Sequence, residues 1–229
     1  MRITWLGQAG LLLDTGKTRL MIDPYLSDGV EKTNPKMRRR VPADRSFIRT
    51  NPDILAFTHD HPDHFDPETA GLMLQRKEKM TVLGPASVWR RVREYGGVHN
   101  YVLFDHHTVW TENDLQMTAI RAVHSDPFAV GILVKDLNTR KNYYVAGDTL
   151  FNEEIFEDLP SEIEAAFLPI NGVGNNMNMT DARAFAKKVN ARYTVPMHFG
   201  LFDTVNPEEF DCLNMVVPTF YQIIDFGGN

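Results

Sequence analysis

Between Thr58 and Asp66 the chain reads THDHPDHFD, three histidines and three aspartates within nine residues. Groups of these kinds are costly to bury unless each finds a partner, so their crowding asks for a shared one. The preceding DILAFTH is a short apolar run that reads as a buried strand. Residues two apart on an extended chain face the same side, so His59 and His61 aim their imidazoles at one point, while Asp60 faces away and reads as solvated. Pro62 ends regular hydrogen bonding, and Asp63 with His64 swings toward a neighbouring position just before a helix begins. The chemistry this suits is cation binding: imidazole nitrogens favour zinc, and carboxylate oxygens beside them also admit manganese or iron. A lone histidine here would more simply cap the helix, but three at this spacing favour a metal.

The elements that must hold this stretch follow from the period of the apolar residues. RITWLGQAGLLLDTGKTRLMID runs apolar in short pieces around TGK, a hairpin of strands ending at Asp23 and Pro24. Asp66 before Pro67 is a helix start, and helical spacing continues to about Lys79. TVLG reads as a strand, PASVWRRVREYGG as a helix closed by Gly96 and Gly97, and Tyr101 to Val145 mostly as strands. AAFLPI, TDARAFAKKVNA and RYTVPM make a β-α-β tail whose helix is capped by Thr180. Strands precede helices in each half, which hints at a duplicated layout without a repeat strong enough to show one. Mixed sheets with helices on their outer faces explain this order.

The bulk properties narrow the function classes. With 229 residues, 43% hydrophobic and 24% charged, the chain suits one globular domain spanning residues 1–229, and no linker divides it. A formal charge of −6 makes nucleic acid and anionic membranes poor partners, leaving KMRRR from Lys36 to Arg40 as the local basic exception. No run approaches the roughly 18 to 20 apolar residues of a membrane span. The start carries Arg2, Asp14, Lys17 and Arg19 without a cleavage site, so a cytoplasmic protein is expected. The single Cys212 excludes an internal disulfide and fits a reducing compartment. Neither a GxSxG elbow nor a GxxxxGK[ST] loop is present, which removes the usual support for covalent hydrolases and nucleotide triphosphatases.

The ordered set MIDPYL, HDHPDH, RAVHSD, VAGDTL and VPMHFG resembles the motifs of the metallo-β-lactamase fold superfamily of metal-dependent hydrolases. The resemblance implies an α/β fold, a four-layer αββα sandwich of two mixed β-sheets with helices on the outer faces. It implies one cation held by His59, His61 and His124, a second by Asp63, His64 and His198, and Asp148 bridging them. Asp63 and Asp148 would be the catalytic carboxylates, and Asp23 would orient a ligand histidine. The implied cofactors are two divalent metal ions, zinc or manganese. Such a pair shares a water and generates hydroxide near neutral pH, which attacks an ester, lactone or phosphodiester. His99, His106 and His107 match no position of the pattern and read as surface or core residues.

GQAGLLLDTGKTRLMIDPYLSD, DHFD and AGDTLFNEEIFE are similar to the branch that includes L-ascorbate-6-phosphate lactonase. That resemblance implies a small-molecule substrate, a lactone or ester, with a phosphorylated sugar lactone among the candidates. A phosphodiesterase on the same centre is the nearest alternative, and a non-catalytic metal-binding protein is a third. Redox carriers of the superfamily replace the second histidine of HxHxDH by Glu, whereas this chain has His61. Arg38, Arg39 and Arg40 lie in a loop that could roof the cleft and meet a phosphate, although a solvated basic loop reads as well. In NGVGNNMNMT, Asn171, Asn175 and Asn176 offer donors and acceptors to a sugar-like ligand, or form a plain turn. Phe199 and Phe202 flank His198 as an apolar wall or as core. A monomer and a homo-oligomer both remain open.

Overall fold

Short apolar runs separated by Gly, Pro and Asp turns become strands, which assemble into two six-stranded sheets. The computed structural model describes residues 1–201 and 203–227. The first sheet holds β1 (Arg2–Trp5), β2 (Leu11–Asp14), β3 (Arg19–Ile22), β4 (Ile54–Ala56), β5 (Thr81–Gly84) and β6 (Asn100–Leu103). The first three strands run antiparallel and the rest continue parallel to β3. The second sheet holds β7 (Val109–Glu112), β8 (Leu115–Arg121), β9 (Val130–Asp136), β10 (Asn142–Val145), β11 (Ala165–Pro169) and β12 (Tyr193–Met197). There β7 to β10 alternate in direction, and β11 and β12 run parallel to β10. The helices are α1 (Gly29–Thr33), α2 (Pro67–Leu74), α3 (Ala86–Val92) and α4 (Met179–Val189).

The period of two along each strand sorts the apolar residues into layers. Leu20, Ile22, Ile54, Ala56 and Leu83 of the first sheet face Met117, Ala119, Ile132 and Val134 of the second. Met21, Leu55 and Val82 point the opposite way, where Ala70, Met73 and Leu74 of α2 and Val88 and Val92 of α3 cover them. α4 packs on the second sheet's outer face, with Phe185 stacked on Tyr144 at 6.0 Å between centroids. This is the four-layer αββα sandwich expected from the sequence. Each fully buried Leu or Ile contributes roughly 1.5–3 kcal/mol to it. The C-terminal segment closes one side by bonding to both sheets. Trp5 N donates to Gln222 O at 3.2 Å, and Thr194 N to Asn214 O at 2.9 Å, so the β1 and β12 edges are not left bare. Among the described residues no helix is long and apolar enough to cross a membrane.

Two helix boundaries differ from the sequence expectation. The helix begun at Asp66 stops at Leu74 instead of reaching Lys79. Gln75 to Lys79 is a polar run with no apolar face to bury, and the buried His99 takes the Leu74 carbonyl through Nε2 at 2.9 Å. The cap of α4 is Asn178, not Thr180: its Oδ1 accepts from Thr180 N at 2.8 Å and Asp181 N at 3.0 Å.

The strand ends converge. β3, β4, β10 and β12 all deliver their C-terminal ends to one side of the sandwich, where the sheets are tied by Val130 N donating to Thr58 O at 2.9 Å. Gly147, just beyond β10, has φ +61, and a Cβ there would lie 2.9 Å from Thr58 Cβ. Gly147→Ala is therefore expected to cost roughly 2 to 5 kcal/mol from left-handed strain and overpacking. Gly16→Ala, at φ +89 with nothing within 4 Å, should bear the backbone cost alone. Thermal melts of both variants check this, and equal losses would contradict the packing role of Gly147.

Candidate metal centre

The histidines and aspartates singled out by spacing converge beyond these strand ends. His59 leaves β4, its Nδ1 lying 3.0 Å from Thr58 Oγ1, so its Nε2 faces inward. His124, beyond β8, has Nδ1 3.3 Å from Asn175 O, which turns its Nε2 inward to lie 3.0 Å from His61 Nδ1. Donor atoms of His59, His61, His124 and Asp148 all fall within 4.8 Å of one another, as do those of Asp63, His64 and His198. Asp148 joins the two sets. Its Oδ1 lies 3.0 Å from His198 Nε2 and 3.2 Å from His64 Nε2, and its Oδ2 lies 3.9 Å from both His59 Nε2 and His124 Nε2.

Protonation differs between the sets. Burial, reinforced by the charge of His64, drives His59 well below its ordinary pKa, and burial also lowers His124, so both are neutral imidazoles with free lone pairs. In the other set burial is outweighed. Asp148 and Asp23 hold His64 well above its ordinary value, and Asp148 with Asp63 pushes His198 up to about 9. Reciprocally, against their burial, His198 and His64 keep the Asp148 and Asp63 carboxyls below the usual carboxylate range. Without a cation, His64 and His198 therefore keep their protons to higher pH than an ordinary histidine does.

The partners that aim these groups are mostly distant in sequence. Asp23 is fully buried at φ +45 and accepts from Thr58 N at 2.8 Å and Thr58 Oγ1 at 2.6 Å, while its Oδ2 lies 2.8 Å from His64 Nδ1. It therefore fixes His64 with Nε2 toward the centre. Asn176, buried, donates to Asp148 Oδ2 at 2.8 Å, and the amide of Asn171 lies 2.8 Å from His198 Nδ1, so these two orient the centre's own side chains. Asn175 is exposed and contributes its carbonyl to His124. Gln8, to which sequence reasoning gave no role, reaches the centre from the β1–β2 turn: its Nε2 donates to Asp63 Oδ2 at 2.9 Å. Only the contact across 55 residues reveals it.

The basic loop is committed elsewhere. Arg39 is stacked on Tyr25 at 3.7 Å and donates to the carbonyls of Tyr25 and Ser27, while Arg40 pairs with Asp203 at 3.0 Å and donates to Val205 O. Arg39 thus pins the loop to the stretch after β3, and Arg40 pins it to the segment after His198. Arg38 is exposed, 3.8 Å from Glu31. Asp60 pairs outward with Arg91 at 3.5 Å. Phe199 packs on Trp5 at 4.8 Å as core, and Phe202 lies outside the described residues. His106 and His107 meet Asp158 at 2.6 and 2.9 Å, away from this centre.

Divalent cations fit the donor set. His59 Nε2 and Asp148 Oδ1 are buried without a hydrogen-bond partner. Imidazoles lie 3.0–3.2 Å from Asp148 Oδ1, yet none is aligned to bond it. Leaving such groups unsatisfied costs about 1–3 kcal/mol each, and a cation satisfies both kinds of donor at once.

A sandwich of two mixed sheets with His and Asp donors gathered at the strand ends defines the metallo-β-lactamase fold class. Residues 18–199 match the beta-lactamase superfamily domain, and the chain belongs to that superfamily. A UPF0173 metal-dependent hydrolase of Methanosarcina mazei is 29% identical over 228 residues, covering 92% of this chain and 89% of the relative. One from Pyrobaculum aerophilum is 26% identical over 92% of this chain and 90% of its own. Among solved structures, the metallo hydrolase Igni18 from Ignicoccus hospitalis superposes with a TM-score of 0.76 at 19% identity, covering 97% of both chains.

Two measurements probe this arrangement. Asp23→Asn, which keeps shape but loses the charge holding His64, should lower metal affinity roughly 10- to 100-fold; calorimetric titration with wild-type affinity would show that Asp23 orients nothing. Because His198 titrates near 9, protons compete with a cation there at neutral pH, so affinity should rise as pH climbs toward 9. Titrations in buffers of different ionisation heat should accordingly show proton release, and none would contradict the protonated set.

Proposed function

We propose that this protein is a metal-dependent hydrolase that opens a small lactone or ester, with a phosphorylated sugar lactone as the favoured substrate. One observation carries the reading: the two oxygens of Asp148 face two separate donor sets. His59, His61 and His124 would hold one cation, Asp63, His64 and His198 the other, with Asp148 shared. Bound there, two divalent cations supply Lewis acidity, bringing the pKa of a water from about 16 toward neutrality and polarising an acyl oxygen. Asp63 is the more exposed of the two carboxylates and stays ionised, so it accepts an O–H from an incoming water and orients it. Asp23, Asn171 and Asn176 keep the surrounding side chains from turning away.

A surface cavity of about 430 Å³ borders His61, and its wall carries Arg90 and Arg91 together with Asp60 and Asp126, besides Ser125 and Phe128. That volume suits a small molecule. Arg91 is paired with Asp60, whereas Arg90 forms no ion pair among the described residues and lies 5.4 Å from the Phe128 ring centroid, so in this reading it is the cation that an anionic substituent meets, with Asp126 on the same wall limiting the charge it can offer. Arg90 thus takes the part that the sequence suggested for the Arg38–Arg40 loop. The names of the archaeal relatives, metal-dependent hydrolases, support the same reaction class.

The test is a hydrolysis panel on metal-loaded protein: a sugar-phosphate lactone, a simple lactone and a phosphodiester. Lactone turnover that chelation abolishes is expected, and turnover of the phosphodiester alone would overturn the choice of substrate. Asp148→Asn should lower kcat by about 100-fold or more while the protein still folds; an unchanged rate would remove Asp148 from the centre.

A further inference from the structure

Gln8 is 2% exposed and sits at φ +50 in the turn between β1 and β2. Its main-chain carbonyl accepts from His198 N at 3.0 Å and from Trp5 Nε1 at 3.1 Å. Its side-chain Nε2 donates to Asp63 Oδ2 at 2.9 Å and lies 3.2 Å from both ring nitrogens of His198. Equal distances to Nδ1 and Nε2 place the amide across the imidazole instead of on either lone pair, so it restrains the ring without consuming the nitrogen that faces Asp148. Its Oε1 is buried with no partner. A residue kept for packing alone would avoid that loss, roughly 1–3 kcal/mol, by being Leu or Met. Half-satisfied buried amides of this kind belong to sites where function overrides stability.

The contacts are also one-sided. Asp63 and His198 both belong to the second donor set, and they come from opposite halves of the chain. Among the described residues Gln8 makes no hydrogen bond to His59, His61 or His124. We propose that Gln8 is a positioning residue for the second cation alone, fixing the Asp63 carboxylate and the His198 ring relative to each other. The assignment rests on the two-cation reading of the centre. It makes the two sites unequal: Thr58 and the Asn175 carbonyl aim ligands of the first, whereas the second, besides Asp23 on His64 and Asn171 on His198, also draws on the turn that carries Gln8.

Metal-free protein titrated calorimetrically with Mn²⁺ alone, with metal content after dialysis as a second readout, tests this in wild type, Gln8→Asn and Gln8→Leu. Asn tolerates a left-handed backbone, so it keeps the main-chain contacts while withdrawing the amide by one methylene. Leu removes the amide outright. Both variants should weaken one of the two binding events about 10- to 100-fold and leave the other within about twofold. Asp63→Asn should weaken the same event, and adding Gln8→Asn to it should cost little more, because the two act through one contact. Equal weakening of both events, no change in either, or fully additive losses would overturn the role of Gln8. A wild-type protein that takes up no ion, or only one, would instead overturn the two-cation reading on which it rests.

Discussion

Asp148 is a carboxylate 5% exposed at the place where the two sheets meet, and its burial is the constraint around which the site is built. A charge so placed is tolerated only if positive charge or well-aligned donors surround it. One oxygen has Asn176 as donor, and the other has imidazoles close by but poorly aligned. The remaining demand is met by whatever occupies the space between the donor sets, protons on His64 and His198 or cations in their stead. Those protons make the metal-free centre self-neutralising, and they are also what a cation must displace.

The fold meets this demand by bringing strand ends together. Each essential side chain follows a strand that exits on the same side: Asp23 after β3, His59 after β4, His124 after β8, Asp148 after β10 and His198 after β12. On this side of the sandwich the backbone bends sharply: Asp23 and His198 immediately past β3 and β12, and Gln8 and Asn175 in the loops after β1 and β11, all take positive φ without being glycine. Such conformations cost about 1–3 kcal/mol each and persist only where surrounding contacts dictate them. Here the contacts are visible. His198 N donates to Gln8 O, Asp23 N to Ala56 O, and the Asp23 carboxylate takes two donors from Thr58. The large apolar core between the sheets supplies the stability that these bends and unpaired polar atoms subtract.

What could be read from sequence was local. The short apolar runs DILAFTH and TVLG, the Asp66–Pro67 start and the HxHxDH spacing are all set within a few residues, and the strands, helix and converging imidazoles follow from them. The two sheets do resemble one another in plan, but one has three parallel pairings and the other two, so the hint of duplication extends to layout and not to register. Long-range contacts were the illegible part. Nothing in the LGQAG turn announces that its glutamine meets Asp63, and nothing in NGVGNNMNMT says that Asn171 and Asn176 serve His198 and Asp148 and not a ligand. The basic loop shows the same limit: three arginines in a row read equally as a phosphate contact or a solvated loop, and only the structure shows that Tyr25, Ser27 and Asp203 claim two of them. Helix ends slipped where a side chain from elsewhere, such as His99, took a terminal carbonyl.

The most direct test of the shared carboxylate is anomalous diffraction from crystals grown with manganese or zinc, with data collected at the metal's absorption edge. Two peaks should flank Asp148, about 3.5 to 4 Å apart as in two-metal sites, one beside His59, His61 and His124 and the other beside Asp63, His64 and His198. A single peak touching only one oxygen of Asp148, or no peak at this edge of the sandwich, would contradict the account.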